Sequence, residues 1–175
     1  HTIVGIEHQA EKFGYSLLLS LLHDPEANHG KDVLESLLSR QVDGIIWAVP
    51  EIGSNREELC RRVRDISTPV VLPSMQPRQR AMSVAVDNYI GGRRATEHLL
   101  AQGNRQIGIV TGPMTLWEAQ QRAQGWREAL QEAGISNLDA LWAEGDRSAA
   151  SGEAGLYRLL DQCPALDAVF ASNDQ

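Results

Sequence analysis

The chain predicts a doubly wound α/β fold with parallel sheets, and three observations predict it. Amphipathic segments of helical period alternate along the chain with short apolar runs. Most connections between them are compact, and glycines stop several of the helices. The helical segments are long enough to need crossovers, and right-handed crossovers between strands give parallel sheets covered on both faces.

Residues 1–12 place Ile3, Ile6 and Ala10 at helical spacing, and Gly14 stops that helix. YSLLLSLL (15–22) reads as a fully buried strand. Over 30–40, Val33, Leu34, Leu37 and Leu38 lie opposite Lys31, Asp32, Glu35 and Arg40, which is an amphipathic helix. DGIIWAVP (43–50), opened by Asp-Gly and closed by Pro50, is a core strand. A helix over 55–66 leads through Thr68-Pro69 into a strand at 70–72. MSVAVD (82–87) is the next strand, and Asp87 or Asn88 suits the cap of a helix over 89–101 that Gly103 stops. The cycle then repeats: strand 106–112, helix 116–133 ending at Gly134, a strand around 140–145, helix 149–162 and strand 167–172.

Residues 73–81 form a polar, Pro-containing loop unlike the other connections. A passage near Ala101–Arg105 divides the elements into two lobes, residues 1–103 and 104–175. No strand precedes the first helix and none follows the last strand, so further sequence is expected on both sides.

An apolar fraction of 42% and a charged fraction of 22% are close to globular averages, which excludes wholesale disorder. The formal net charge is −7, and no basic cluster is long enough to grip a nucleic acid. Arg61, Arg62 and Arg64 are interleaved with Glu57, Glu58 and Asp65, the pattern of a solvated helix side. Cys60 and Cys163 lack metal-ligand or redox spacing and read as buried or idle thiols, with nothing to support a disulfide. No apolar run approaches the ~20 residues that span a bilayer. The cytoplasm is the natural compartment, although the chain opens on His1 rather than an initiator Met and a removed leader stays open.

At VDNYIGGRRATEHLLAQG (86–103) the pattern becomes more specific than a fold class. This segment resembles the lactose- and galactose-repressor (LacI/GalR) family of bacterial transcription regulators. RQIGIVTGP (105–113), AQQRAQGWREALQEAGI (119–135), EGDRSAASG (144–152) and LLDQCPALDAVFASNDQ (159–175) are similar to the same family. So are GIEHQAEKFGYSLLL (5–19) and LLSRQVDGIIWAVP (37–50). The likeness keeps its order over essentially the whole chain. It implies a two-lobed, periplasmic-binding-protein-like core with an effector cleft between the lobes. It further implies homodimerisation, and DNA binding through a helix-turn-helix headpiece that this chain lacks. The first strand of the core and everything after the NDQ turn are also missing by this comparison. Neither cofactor nor membrane contact is implied, and the effector is a sugar or similar polyol.

Ligands of doubly wound sheets sit at the carboxyl ends of the strands, which singles out the loops after residues 48, 72, 112, 145 and 172. A polyol needs fixed hydrogen-bonding groups and a flat apolar surface. On composition alone Arg122 is an exposed helical arginine, but the resemblance places it where the family's arginine bridges neighbouring sugar hydroxyls, a task suited to its planar fork. Asn173 follows the last strand. It is either a helix cap or, by the resemblance, a cleft amide, with Asp174 the structural partner. Arg147 stands where relatives carry a stacking aromatic, and either faces a polar or acidic effector or is a solvated loop residue. Ser74 aligns loosely with an acidic hydroxyl-binding position of some relatives. Trp117 and Trp47 offer flat faces to a sugar ring, although burial in a core is commoner, and Trp126 reads as packed within its lobe.

Asp87, Asn88, Gly91 and Gly92 invite a phosphate-loop reading, but their spacing matches neither dinucleotide nor P-loop fingerprints, and tight helix packing or subunit contact explains the glycines. No G-x-S-x-G, H-E-x-x-H or paired Cys/His set is present, and His1, His8, His23, His29 and His98 are scattered, so no catalytic function is expected. Two other readings stand beside the regulator: a periplasmic solute receptor serving a transporter, which shares the fold, and a nucleotide-using α/β enzyme.

Overall fold

The computed structural model describes residues 2–22, 30–49, 61–63, 65–73 and 82–173. The elements are α1 (Thr2–Lys12), α2 (Gly30–Ser39), β1 (Ile45–Ile46), β2 (Val70–Pro73), β3 (Met82–Val84), α3 (Asn88–Ala101), β4 (Ile107–Thr111), α4 (Trp117–Glu132), a 3₁₀ turn (Asp139–Leu141), β5 (Trp142–Glu144), α5 (Ala149–Gln162) and β6 (Ala168–Ala171). They build two three-stranded sheets, ordered β1-β2-β3 and β5-β4-β6, and every strand pair is parallel. The doubly wound expectation holds.

Three helices stop by one device. At Gly14, Gly103 and Gly134 the backbone turns left-handed, with φ of 78°, 96° and 80°. The amide of the following residue then reaches back five positions: Tyr15 to Ala10 (2.9 Å), Asn104 to Leu99 (3.3 Å) and Ile135 to Leu130 (3.0 Å). This pairing satisfies carbonyls that would otherwise be orphaned at each helix end. At the start of α3 the cap is Asp87, whose carboxylate accepts from the Ile90 amide at 2.9 Å.

β4 is the centre of the second sheet, and its alternation sorts the core. Ile107 and Ile109, both fully buried, join Trp126, Leu130 and Ala123 of α4 on one face. Each such aliphatic contributes roughly 2 kcal/mol by leaving water. Gly108 and Val110 face α5, where Leu159 and Gly155 meet them. Trp126 is packed as expected, its indole N–H donating to the Ile107 carbonyl at 3.1 Å. A smaller core, Leu34, Ile45, Trp47, Val70 and Leu72, lies between α2 and the first sheet. Trp47 is therefore a core residue, which resolves its two readings.

The strand expected over 15–22 is absent. Its residues join no ladder, and Tyr15, Leu17, Leu18, Leu19 and Leu21 are all exposed. A strand requires a neighbour, and β1 donates from Ile45 and Trp47 only toward β2. An apolar groove of about 800 Å³ is lined by 15–22, by β1 and by Ile3, Ile6 and Ala10 of α1. The expected helix 55–66 falls largely outside the described residues, as do Cys60 and most of the 73–81 loop. Cys163 is a free thiol.

α3 packs on α4, β4 and β6, with Leu99 and Leu100 against the second core. The chain thus passes from the first sheet to the second before α3 begins. Glycines permit the helix contact: a Cβ at Gly125 would lie 2.2 Å from the Tyr89 carbonyl oxygen. Polar bonds stitch its outer side, from Tyr89 to Glu128 at 2.5 Å and from Arg93 to Glu132 at 2.9 Å.

Candidate functional site

Strand order β5-β4-β6 brings the loops after three strands side by side at one end of the second sheet, the end where such folds receive ligands. Gly112, immediately after β4, is the floor. A Cβ built there would meet Asn173 Nδ2 at 3.0 Å and Arg147 Cγ at 3.2 Å. Two of the candidates, from loops after β5 and β6, therefore converge over the central strand.

The local backbone is tightly fixed. The Gly145 amide donates to the Thr111 carbonyl (2.9 Å), and the amide and hydroxyl of Ser172 both donate to the Val110 carbonyl (3.0 and 2.9 Å). Glu144 accepts from the Met114 amide at 2.8 Å and so ties the 113–116 loop to β5. Arg147 adopts φ 75°, the left-handed region seldom used by side chains other than glycine, asparagine or aspartate. On its two sides Asp146 accepts from the Ser148 amide at 2.8 Å, and Ser148 caps α5 by accepting from Ser151 at 3.1 Å. The hydrogen bonds from Ser148 and then Ser151 hold the Asp146 carboxyl down at about 2.

Arg122 rises from the second turn of α4, half-buried. Its Nη1 donates to Asn88 Oδ1 in a short contact, while Nε is buried with no partner. Burial lowers its pKa, opposed by the charge of Glu118. Asn88 in turn donates to the Val86 carbonyl at 3.1 Å, on the passage between the sheets. The side chain thus connects α4 to that passage. Thr111, at the end of β4, also carries a buried hydroxyl without a partner. Trp117 is the first residue of α4 and is half-buried. Ser74 and Asp174 lie outside the described residues.

Sequence reasoning did not single out Asn88 as Arg122's partner, because 34 residues separate them. Nor did it single out Gly112, whose signal was its place directly after a core strand. The phosphate-loop reading of Gly92 gives way to helix packing, since a Cβ there would lie 2.2 Å from the Arg122 carbonyl oxygen. Among the described residues no cluster of three His, Cys, Asp or Glu could hold a metal, and no helix is long and apolar enough to cross a membrane.

Residues 1–175 match the model of the family described as periplasmic binding proteins and sugar binding domain of LacI family. The HTH-type transcriptional regulator CelR of Thermobifida fusca is 34% identical over 142 residues, 79% of this chain and 41% of that protein. This chain therefore spans less than half of that relative's length. Among solved structures, a sugar-binding LacI-family regulator from Escherichia coli, complexed with phosphate, superposes with a TM-score of 0.83 at 26% identity. The match covers 98% of this chain and 61% of that one. A CelR–cellobiose complex superposes at 0.81 with 28% identity, over 97% of this chain and 51% of the other. Arrived at from the residues and from these matches alike, the chain belongs to the family of periplasmic binding proteins and LacI-type sugar-binding domains.

Proposed function

We propose that this chain is the ligand-sensing part of a LacI-type transcriptional regulator. It binds a small polyhydroxylated effector between its two lobes and sets the DNA affinity of a helix-turn-helix headpiece elsewhere in the protein. The observation that carries the site is the convergence of Arg147 and Asn173 over Gly112 at the end of the central strand. Arg122 contributes a second guanidinium, desolvated enough for its hydrogen bonds to count. We place the hinge between lobes at residues 85–87, ahead of α3, rather than near 103, because α3 packs on α4 and the second core.

The matched relatives are transcriptional regulators, which favours this reading over a transporter's receptor and over an enzyme. In the whole protein we place the domain in a cytoplasmic homodimer without a cofactor. Ligand coupling requires only that the effector prefer one lobe arrangement over the other. Thermal-shift measurements with cellobiose, ribose and other sugars on the protein and on Asn173→Ala test the site. A sugar-dependent rise in Tm that Asn173→Ala abolishes is expected, and a rise indifferent to Asn173 refutes the assignment.

A further inference from the structure

We propose that the effector carries an anionic group, a carboxylate or phosphate on a polyhydroxylated skeleton, and that Arg147 reads it. The proposal rests on the ligand-site reading above and narrows it to a chemical class.

The side chain of Arg147 is placed by its backbone. At φ 75° the residue takes a conformation that asparagine or glycine would accept more easily. The residue is exposed, but its stem crosses Gly112. Cγ and Cδ lie 3.2 and 3.7 Å from the position a Cβ of Gly112 would occupy. With a glycine there, the side chains of Arg147 and Asn173 can both approach without giving way. The same point is 3.0 Å from Asn173 Nδ2, so the stem that carries the guanidinium and the nitrogen side of an amide meet at the strand end.

What they present is a donor surface. A guanidinium has five N–H donors and no acceptor, and an amide nitrogen adds two more. A neutral sugar hydroxyl both gives and takes a hydrogen bond, whereas a carboxylate or phosphate only takes, and charge-assisted bonds to it are stronger. Among the described residues the neighbouring carboxylates are turned to other partners. Glu144 is engaged with the Met114 amide, and Asp146 with the Ser148 amide. Among the described residues no ion pair includes Arg147. An arginine without an ion pair, whose stem crosses a ligand-receiving strand end, is matched by an anionic guest.

Isothermal titration of the whole protein with glucose, glucuronate, glucose 6-phosphate and inorganic phosphate tests this. At least one of the two acidic sugars is expected to bind about tenfold or more tightly than glucose, a gap of about 1.4 kcal/mol. The gap should shrink as salt rises. Glucuronate and glucose 6-phosphate separate a carboxylate reader from a phosphate reader. Arg147→Gln should remove the gap and leave the Tm of the free protein unchanged, since Gln41 already occupies a left-handed position in this fold at φ 55°. Equal affinity for glucose and both acids, or an advantage that survives Arg147→Gln, overturns the proposal. Binding of inorganic phosphate without any sugar preference marks an adventitious ion only and also overturns it. Asn173-dependent binding of glucose without an acidic advantage sinks this proposal while leaving the ligand site standing.

Discussion

Gly92 of α3 lies directly on the backbone of Arg122 in α4: a Cβ added to the glycine would sit 2.2 Å from the Arg122 carbonyl oxygen and 2.9 Å from its Cα. Gly125 repeats the contact three residues along, against Tyr89 and Arg93. Backbone cannot yield as a flexible side-chain tip can. The pair therefore fixes where Arg122 stands relative to the passage between the sheets.

Gly92→Ala and Gly125→Ala should each destabilise the protein by about 3 kcal/mol, the upper part of the range for overpacking. Alanine's better helix propensity returns up to ~1 kcal/mol of that. Urea denaturation measures the loss. A change below ~1 kcal/mol in both variants would show that the two helices are not in backbone contact.

Gly112→Ala provides the contrast. Its Cβ would meet Arg147 Cγ and Asn173 Nδ2, which are side-chain atoms free to swing aside. Stability should fall by less than ~1 kcal/mol, below the usual range for overpacking. Effector affinity should nevertheless drop about tenfold, because the two donors are driven apart. Calorimetric binding beside a denaturation curve distinguishes the two effects, and unchanged affinity would remove Gly112 from the site.

Arg122 and Asn88 should behave asymmetrically. Arg122→Met keeps the stem but removes a desolvated charge whose Nε has no partner, so stability should hold or rise by about 1 kcal/mol. Asn88→Ala leaves Nη1 unpaired in the same surroundings and should cost about 1–3 kcal/mol. In the double variant the asparagine penalty should largely vanish, which is the coupling a double-mutant cycle reports. Equal penalties in single and double variants would mean that the contact carries no energy.

Much of the fold was legible because local rules agreed with it. The stops at Gly14, Gly103 and Gly134 need only a residue that accepts positive φ, and the Ile107/Ile109 alternation needs only the strand period. The segment 15–22 defeated the reading for a reason of the same kind: its apolar run states a preference for burial, whereas pairing depends on a neighbour that no local pattern specifies. The site divides similarly. Arg147 and Asn173 were reached through strand ends and family resemblance. Their meeting over Gly112 depends on the strand order β5-β4-β6, and the Arg122–Asn88 bond on the crossing of two helices.

Acid should loosen the Arg147 turn. Asp146 has its carboxyl lowered from 3.8 to about 2 by Ser148 and Ser151, so the folded state favours the ionised form. The stabilisation is complete above pH 3.8 and is lost as pH falls toward about 2. Asp146→Asn should therefore melt below the wild type at neutral pH, with the two Tm curves converging over that acid window. Parallel curves would show that folding does not lower the Asp146 carboxyl.

Thr111 offers the last test, because its hydroxyl is buried at the end of β4 and bonds to nothing. An unsatisfied buried hydroxyl costs about 1–3 kcal/mol, and valine fills nearly the same volume without it. Thr111 is the last residue of β4, next in sequence to Gly112, and by the strand period its side chain is on the face of Ile107 and Ile109. Thr111→Val should raise stability by about 1 kcal/mol if the hydroxyl is only a burden of the fold. Should the variant also lose effector affinity, the hydroxyl is held in reserve for the ligand, and its cost in the empty protein is repaid on binding. Urea denaturation and effector titration of the same variant measure both. A loss of stability on substitution would show instead that the hydroxyl is satisfied in solution, by an ordered water.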